Sequence, residues 1–197
     1  CKENDIVLHH ISTDYVFDGK KRSPYLETDA TNPINVYGAS KLKGEQYIQE
    51  ICHKFYILRT SWLYSQYGHN FLKTILTYAQ AKKPLTITTE QVGTPTNAND
   101  VAKAVLQIIV QDSKNYGVYH YSNSGKTTWF GFAEEILKQT EKLKDANLAK
   151  TNHYRTFAAR PVYSVLDNAK ALNNLSIKQI DWQESLESVL KKTVINL

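Results

Sequence analysis

The chain has 197 residues, of which 42% are hydrophobic and 22% are charged, and its formal net charge is +5. These values are typical of a globular protein, and a chain of this length buries a sizeable core without disulfides. No apolar run approaches the ~18 residues of a membrane helix, and no signal peptide opens the chain. Cys1 and Cys52 form no paired motif, which indicates a reducing, cytoplasmic location. The basic residues are scattered rather than gathered in a stripe, so we expect neither nucleic acid nor membrane as a partner.

Strand-like and helix-like segments alternate along the chain. Four apolar runs of strand length are predicted at residues 6–11, 55–60, 85–88 and 118–121. Helices are predicted from just after Pro33 to about residue 51 and over 71–81, 100–110, 129–143 and 182–192. Residues 18–33 form a loop, and the irregular stretch 144–160 contains a further predicted strand near 153–157. This alternation predicts an α/β fold with a parallel sheet.

The strongest candidate for chemistry is a tyrosine–lysine pair. Tyr37 and Lys41 are four residues apart and therefore share one face of the first predicted helix. A free tyrosine, with a pKa of about 10, is a poor acid–base catalyst at neutral pH. A lysine one turn away stabilises the phenolate, so such a pair can give a proton to a carbonyl oxygen. The pattern alone is weak, because it also fits an ordinary pair on the surface of a helix.

Polar residues at the end of the first strand strengthen this interpretation. Ser12, Thr13 and Asp14 follow the predicted strand 6–11. The carboxyl ends of parallel strands line the ligand crevice, where a hydroxyl can bond the carbonyl that a tyrosine protonates. A hydroxyl at a strand end and a Tyr-x-x-x-Lys helix together indicate a reductase that uses a nicotinamide hydride.

Several segments resemble the extended short-chain dehydrogenase/reductase family. The segment Ser-Thr-Asp-Tyr-Val-Phe-Asp-Gly at 12–19 is the most specific of them. Further similar segments follow in the family's order at 27–29, 32–38, 59–64, 70–71, 91–96 and 160–167, so the resemblance covers nearly the whole chain. It implies a partial Rossmann-like parallel sheet, made of the later strands, and a smaller α/β substrate-binding lobe.

The resemblance also implies catalytic roles for three residues. Tyr37 would be the proton donor to the C4 oxygen of a dTDP-linked keto-sugar. Lys41 would tune Tyr37 and, with it, contact the cofactor by holding the nicotinamide ribose. Thr13 would position the carbonyl.

Four further residues would bind the substrate. Asp14 would contact the sugar, Trp62 would pack against the deoxysugar, and Asn70 and Arg160 would hold the nucleotide diphosphate. A planar guanidinium suits phosphate. Three of them have a structural alternative, since Trp62 also fits a core residue, Arg160 a loop residue beside a proline, and Asp14 a turn cap.

The choice of reaction depends on Tyr15. Related nucleotide-sugar dehydratases carry an acidic residue directly after the Thr-Asp pair, and here that position is Tyr15. A tyrosine cannot replace a carboxylate base, so simple reduction is favoured over elimination of water. Two alternatives stay open, namely a non-catalytic regulatory relative with the same fold and a ketoreductase for another nucleotide sugar.

The glycine-rich phosphate cradle of a dinucleotide fold is not found in this sequence. No two of the eight glycines are separated by a single residue. We therefore expect a fragment, with residues 1–84 as the C-terminal half of a Rossmann domain and residues 85–197 mainly as the sugar-nucleotide lobe, some of whose segments return to the sheet. NADPH or NADH would serve the complete enzyme but would not bind this fragment, which would be inactive alone. The uncovered edge near 6–11 would favour self-association. No metal is expected. The histidines lack ligand spacing, and the resemblance aligns Asn99, which is not acidic, with the position where some family members hold magnesium through a carboxylate.

Overall fold

The computed structural model describes residues 1–152 and 156–193. The described strands are β1 (Leu8–Thr13), β2 (Phe55–Thr60), β3 (Leu63–Tyr64), β4 (Leu85–Thr88), β5 (Val92–Gly93), β6 (Thr96–Asn97), β7 (Gly117–His120), β8 (Thr127–Thr128) and β9 (Leu148–Thr151). The described helices are α1 (Val36–Ile51), α2 (Phe71–Gln80), α3 (Ala98–Gln111), α4 (Trp129–Gln139), α5 (Ala169–Leu175) and α6 (Trp182–Thr193).

A three-stranded parallel sheet in the order β1-β2-β7 carries one half of the fold. Side chains of β2 and β7 pack against α3 and α5 through a core that includes Leu58, Tyr119 and Ile108. Helix α1 packs against β1 and β2. In this register Thr13 lies directly across from Thr60, so the carboxyl ends of β1 and β2 meet at one edge. The predicted α/β fold with parallel strands is confirmed.

A second core lies around α2, α4 and α6. Phe132, Ile136 and Leu186 are fully buried in it, and β4, which pairs with β9 in parallel, packs along its side. The strands that connect the two cores are short. β3 pairs with β6, and β5 pairs with β8.

Several predicted boundaries are wrong. The first strand begins at Leu8 and extends to Thr13, because its last residues pair with β2. Helix α4 ends at Gln139 rather than near residue 143, since Thr140 closes the last turn and Glu141 has a left-handed φ of 57°. Helix α5 was not predicted. The strand in the irregular stretch is β9, and the predicted strand near 153–157 falls largely on residues 153–155, which lie outside the described residues.

A buried ion pair holds α1 against the sheet. The Glu45 carboxylate on α1 accepts hydrogen bonds from Arg59 on β2, with Nε–Oε1 at 3.0 Å and Nη2–Oε2 at 2.7 Å. The Ser12 hydroxyl on β1 also donates to Glu45 Oε1. Glu45 is 0% exposed and Arg59 is 4% exposed. Because desolvated charges must be paired, this contact fixes the height and rotation of the helix that carries Tyr37 and Lys41.

A close backbone approach fixes the start of the same helix. The Asn35 side chain caps α1 by accepting from the Gly38 N–H at 2.7 Å. A Cβ at Gly38 would lie 2.1 Å from the Tyr15 carbonyl oxygen, so only glycine allows the first turn of α1 to pack on the loop after β1. This contact brings Tyr37 next to the end of β1.

Two surface features concern the predicted partners. Strand β1 pairs only with β2 among the described strands, and Ile6 and Ile11 are exposed at that edge. Self-association through this edge stays a prediction. None of the helices in residues 1–152 and 156–193 is long and apolar enough to cross a membrane.

Candidate active site

One cavity of about 310 Å³ brings together five of the seven predicted site residues. It lies at the carboxyl ends of β1 and β2, between the start of α1 and the start of α4. The predicted residues that line it are Thr13, Asp14, Tyr37, Trp62 and Arg160. Other lining residues include Tyr15, Thr60, Ser61 and Trp129, none of which was predicted.

A second cavity of about 480 Å³ adjoins the first. Trp129 and Arg160 line both, so the two form one groove, which runs from Tyr37 to the start of α2. Asn70, which was predicted to hold the nucleotide diphosphate, lines the second cavity. Both ends of its side-chain amide make hydrogen bonds within the protein. The oxygen caps α2 by accepting from the Lys73 N–H, and the nitrogen donates to the Ser65 carbonyl oxygen at 2.9 Å. The structure therefore gives Asn70 a clear role in shaping this wall.

Thr13 and Asp14 form a hydrogen-bonded pair at the end of β1. The Thr13 hydroxyl donates to Asp14 Oδ1 at 3.0 Å and accepts from the Tyr15 N–H at 3.1 Å. Thr13, rather than Asp14, is thus the cap of the short 3₁₀ turn Asp14–Val16. The Asp14 side chain is buried, and burial raises the pKa of its carboxyl to about 7.

This raised pKa predicts a dependence of stability on pH. In the unfolded chain an aspartate has a pKa of about 4, so between about pH 4 and pH 7 the folded protein binds a proton that the unfolded chain does not. Stability is therefore lost as the pH rises through this range. The Asp14→Asn variant has no carboxyl to titrate at this position. The difference between its free energy of unfolding and that of wild type will therefore rise with pH, by at most ~1.4 kcal/mol per pH unit. Urea denaturation across the range measures this difference, and a constant difference contradicts it.

Tyr37 and Lys41 lie one turn apart on α1, as predicted. Tyr37 is 55% exposed, its ring contacts that of Tyr15 edge-on with centroids 5.9 Å apart, and its hydroxyl makes no hydrogen bond to any described residue. The Lys41 ammonium donates to the Ile11 carbonyl oxygen at 2.7 Å and approaches His10 Nε2 at 3.3 Å. Tyr37 thus faces the cavity, and Lys41 is held against β1.

Trp62 is both a buried residue and a wall of the cavity. Its ring stacks on that of Trp129, with centroids 3.8 Å apart and an angle of 8° between the planes. Its φ of 46° is rare for a bulky residue, and a Cβ on Gly93 would lie 2.4 Å from its indole ring. Trp129 is in turn held by a hydrogen bond from its Nε1 to Gln91 Oε1 at 3.0 Å. The two indoles form a rigid aromatic wall in the middle of the groove.

Trp129 was missed from the sequence, where it is simply the first residue of a helix that Thr128 caps. Its partner Trp62 lies 67 positions earlier. Strand β5 brings the two segments together, because it pairs with β8, next to Trp129, and its Gly93 lies against the Trp62 ring. Arg160, which was predicted to hold the nucleotide diphosphate, is an exposed residue that lines both cavities. Its charge lowers the pKa of Tyr15 against a larger increase from burial.

These features define a class of protein. A threonine at the end of a parallel strand, beside a Tyr-x-x-x-Lys helix at the mouth of a groove, is the arrangement of the extended short-chain dehydrogenases/reductases. Among the described residues no cluster of three or more His, Cys, Asp or Glu side chains could hold a metal ion.

Comparisons with known proteins identify the family. The model of the RmlD substrate binding domain matches residues 1–195, and the chain belongs to this family. A dTDP-4-dehydrorhamnose reductase of Aggregatibacter actinomycetemcomitans is 38% identical over 198 residues, which cover 95% of this chain and 67% of that protein. The resemblance predicted from the motifs is confirmed.

Solved structures agree with this. A dTDP-4-dehydrorhamnose reductase from Clostridium acetobutylicum superposes with a TM-score of 0.88 at 36% identity, covering 97% of this chain and 66% of the other. One from Bacillus anthracis, solved in complex with NADP, superposes with a TM-score of 0.87 at 37% identity, covering 95% and 66%. The chain spans about two thirds of the length of the curated relatives that it matches, from 64% to 67% for the first two.

Proposed function

We propose that this chain supplies the proton donor and the sugar-nucleotide groove of an NADPH-dependent reductase that converts dTDP-4-dehydro-L-rhamnose to dTDP-L-rhamnose. The observation that carries the proposal is the convergence of Thr13, Tyr37 and Trp62 on one cavity, with Lys41 one turn behind Tyr37. A hydroxyl that can give a proton, a second hydroxyl that can hold a carbonyl and an apolar wall are what a ketone reduction needs.

The residues of the chain fit the nicotinamide end of the cofactor. Of the three N–H groups of the Lys41 ammonium, two are directed at β1, and one has no partner among the described residues. This third N–H, together with the Tyr37 hydroxyl, would hold the ribose next to the nicotinamide. When bound, the nicotinamide supplies the hydride.

The proton is the contribution of the chain. In the proposed reaction the Tyr37 hydroxyl donates its proton to the C4 oxygen of the sugar as that oxygen gains negative charge. The positive charge of Lys41 favours the tyrosinate that is left. The Thr13 hydroxyl donates a hydrogen bond to Asp14 in the free protein. With substrate bound, it would donate this hydrogen bond to the same sugar oxygen instead. Both hydroxyls then stabilise the charge that develops in the transition state.

The rest of the groove would bind the sugar nucleotide. The Trp62 and Trp129 wall gives an apolar face for the 6-deoxy sugar. Arg160 stands where the two cavities join, and its planar fork suits a diphosphate. The second cavity would then hold the nucleoside.

The test is a reduction assay on the complete gene product. We expect NADPH to be consumed with dTDP-4-dehydro-L-rhamnose, more slowly with the UDP-linked 4-keto sugar and not at all with dTDP-glucose, which has no ketone. The isolated 197-residue chain will show no turnover. Consumption that is equal for the dTDP- and UDP-linked ketones would contradict the proposed substrate, and no consumption with either would contradict the function.

A further inference from the structure

A histidine on β1 contacts the lysine of the tyrosine–lysine pair. His10 Nε2 lies 3.3 Å from Lys41 Nζ, and the same ammonium donates to the backbone carbonyl of the next residue, Ile11, at 2.7 Å. The side chain of Ser12, two positions along the strand, bonds Glu45 on the same helix. Because alternate residues of a strand share a face, His10 and Ser12 form one row beneath α1.

The contact fixes the protonation state of the histidine. An ammonium group has only donors, so His10 can bond Lys41 only through a free lone pair on Nε2. His10 must then be neutral and carry its proton on Nδ1. Partial burial lowers the pKa of His10, the nearby charge of Lys41 lowers it further, and Glu45 opposes both. The ring is therefore neutral at pH 7, as the contact requires.

We propose that His10 is a positioning residue, which holds the Lys41 ammonium in place for the reaction proposed above. A lysine has a flexible four-carbon stem and a rotating head. Two acceptors on one rigid strand, the His10 ring and the Ile11 carbonyl, restrict that head to one place and leave one N–H for the ligand. The proposal rests on the proposed function, since it gives His10 no chemistry of its own.

The same contact makes the position of the lysine sensitive to acid. Protonation of His10 removes the lone pair and places a second positive charge beside Lys41. Among the described residues, the charged groups that act on His10 are Lys41 and Glu45 from α1, and Glu45 is held by Arg59 from β2. The β2 partner of His10 in the register, Ile57, is apolar. We therefore expect cofactor binding to weaken as the pH falls through the pKa of His10, below its ordinary value.

Nuclear magnetic resonance on the complete gene product tests the contact without any turnover. The ring ¹⁵N shifts of His10 will show a neutral ring protonated at Nδ1, and Lys41→Met will raise the pKa of His10. An Nε2–H tautomer, or an unchanged pKa in the lysine variant, would overturn the proposal.

Kinetics test the role. His10→Leu removes the acceptor, and we expect kcat/KM for NADPH to fall about tenfold, the size of one charged hydrogen bond. His10→Gln keeps a neutral acceptor near the Nε2 position, so it will recover most of this loss and will also lose the acid-side decline. His9→Gln is the matched control, because His9 lies on the opposite side of β1 and stacks on Tyr56 at 5.0 Å.

The outcomes separate the two proposals. If His10→Leu matches wild type at every pH, or if His10→Gln is as impaired as His10→Leu, the role of His10 is overturned while the reductase function stands. If the wild-type protein reduces no keto-sugar, the proposed function and the role of His10 in it are both overturned. The resonance experiment then still shows whether the contact exists.

Discussion

Replacing Tyr37 with phenylalanine will lower kcat of the proposed reduction by about 10²- to 10⁴-fold, the contribution of a positioned general acid. The fold will not change, because the Tyr37 ring is half exposed and its hydroxyl bonds no described residue. The Thr13 hydroxyl and the apolar wall remain, so KM for the sugar will change little. Steady-state kinetics together with urea denaturation of the same preparations will measure both expectations.

Tyr47→Phe is the matched control for this experiment. Tyr47 lies on the same helix and is similarly exposed, and its ring contacts Lys43, with Nζ 4.6 Å from the centroid. Tyr47 does not line either cavity of the groove. Its phenylalanine variant will keep wild-type activity. A Tyr37→Phe enzyme that retains more than a tenth of wild-type kcat would show that another group gives the proton.

Replacing Glu45 with alanine will lower the free energy of unfolding by about 3–5 kcal/mol, since it leaves the Arg59 guanidinium buried without its counter-charge. The loss is large because both side chains are shielded from water, and Arg59 Nη1 already has no hydrogen-bond partner among the residues that the structure describes. The variant will also lose activity, because the ion pair no longer positions α1, which carries Tyr37 and Lys41, against the sheet. Urea denaturation measures the first effect.

Two further variants sharpen this prediction. Glu187→Ala breaks an exposed pair with Lys191 on α6 and will change stability by less than ~0.5 kcal/mol. The double variant Glu45→Leu with Arg59→Met replaces the buried pair with apolar groups and will recover much of the lost stability. A Glu45→Ala protein within ~1 kcal/mol of wild type would contradict the account of how α1 is held.

Local patterns were enough to predict the elements that carry the site. The spacing of Tyr37 and Lys41 placed both on one helix, and Asn35 caps that helix where the sequence after Pro33 predicted its start. Thr13 was predicted to follow a strand that ends at residue 11, whereas in the structure Thr13 is the last residue of β1. The strand is longer because its pairing with β2 continues to Thr13, which lies opposite Thr60.

Contacts between distant segments could not be predicted in this way. Glu45 looks like an ordinary surface charge in a helix, and its burial is tolerable because Arg59 and Ser12 both donate to its carboxylate. The stack of Trp62 on Trp129 joins two distant segments, next to the short pairings of β3 with β6 and of β5 with β8. Helix α5 has seven residues, two of them asparagines that favour turns over helices, and its burial against the sheet stabilises it.

Transfer of deuterium tests the central claim most directly. The complete gene product is given dTDP-4-dehydro-L-rhamnose and NADPH that carries deuterium at the transferable position of the nicotinamide. We predict a product with deuterium bonded to C4 of the sugar, which wild type forms and which Tyr37→Phe forms about 10²- to 10⁴-fold more slowly. A reduced product without deuterium at C4, or formation of the labelled product by the Tyr37→Phe protein at the wild-type rate, would contradict the account.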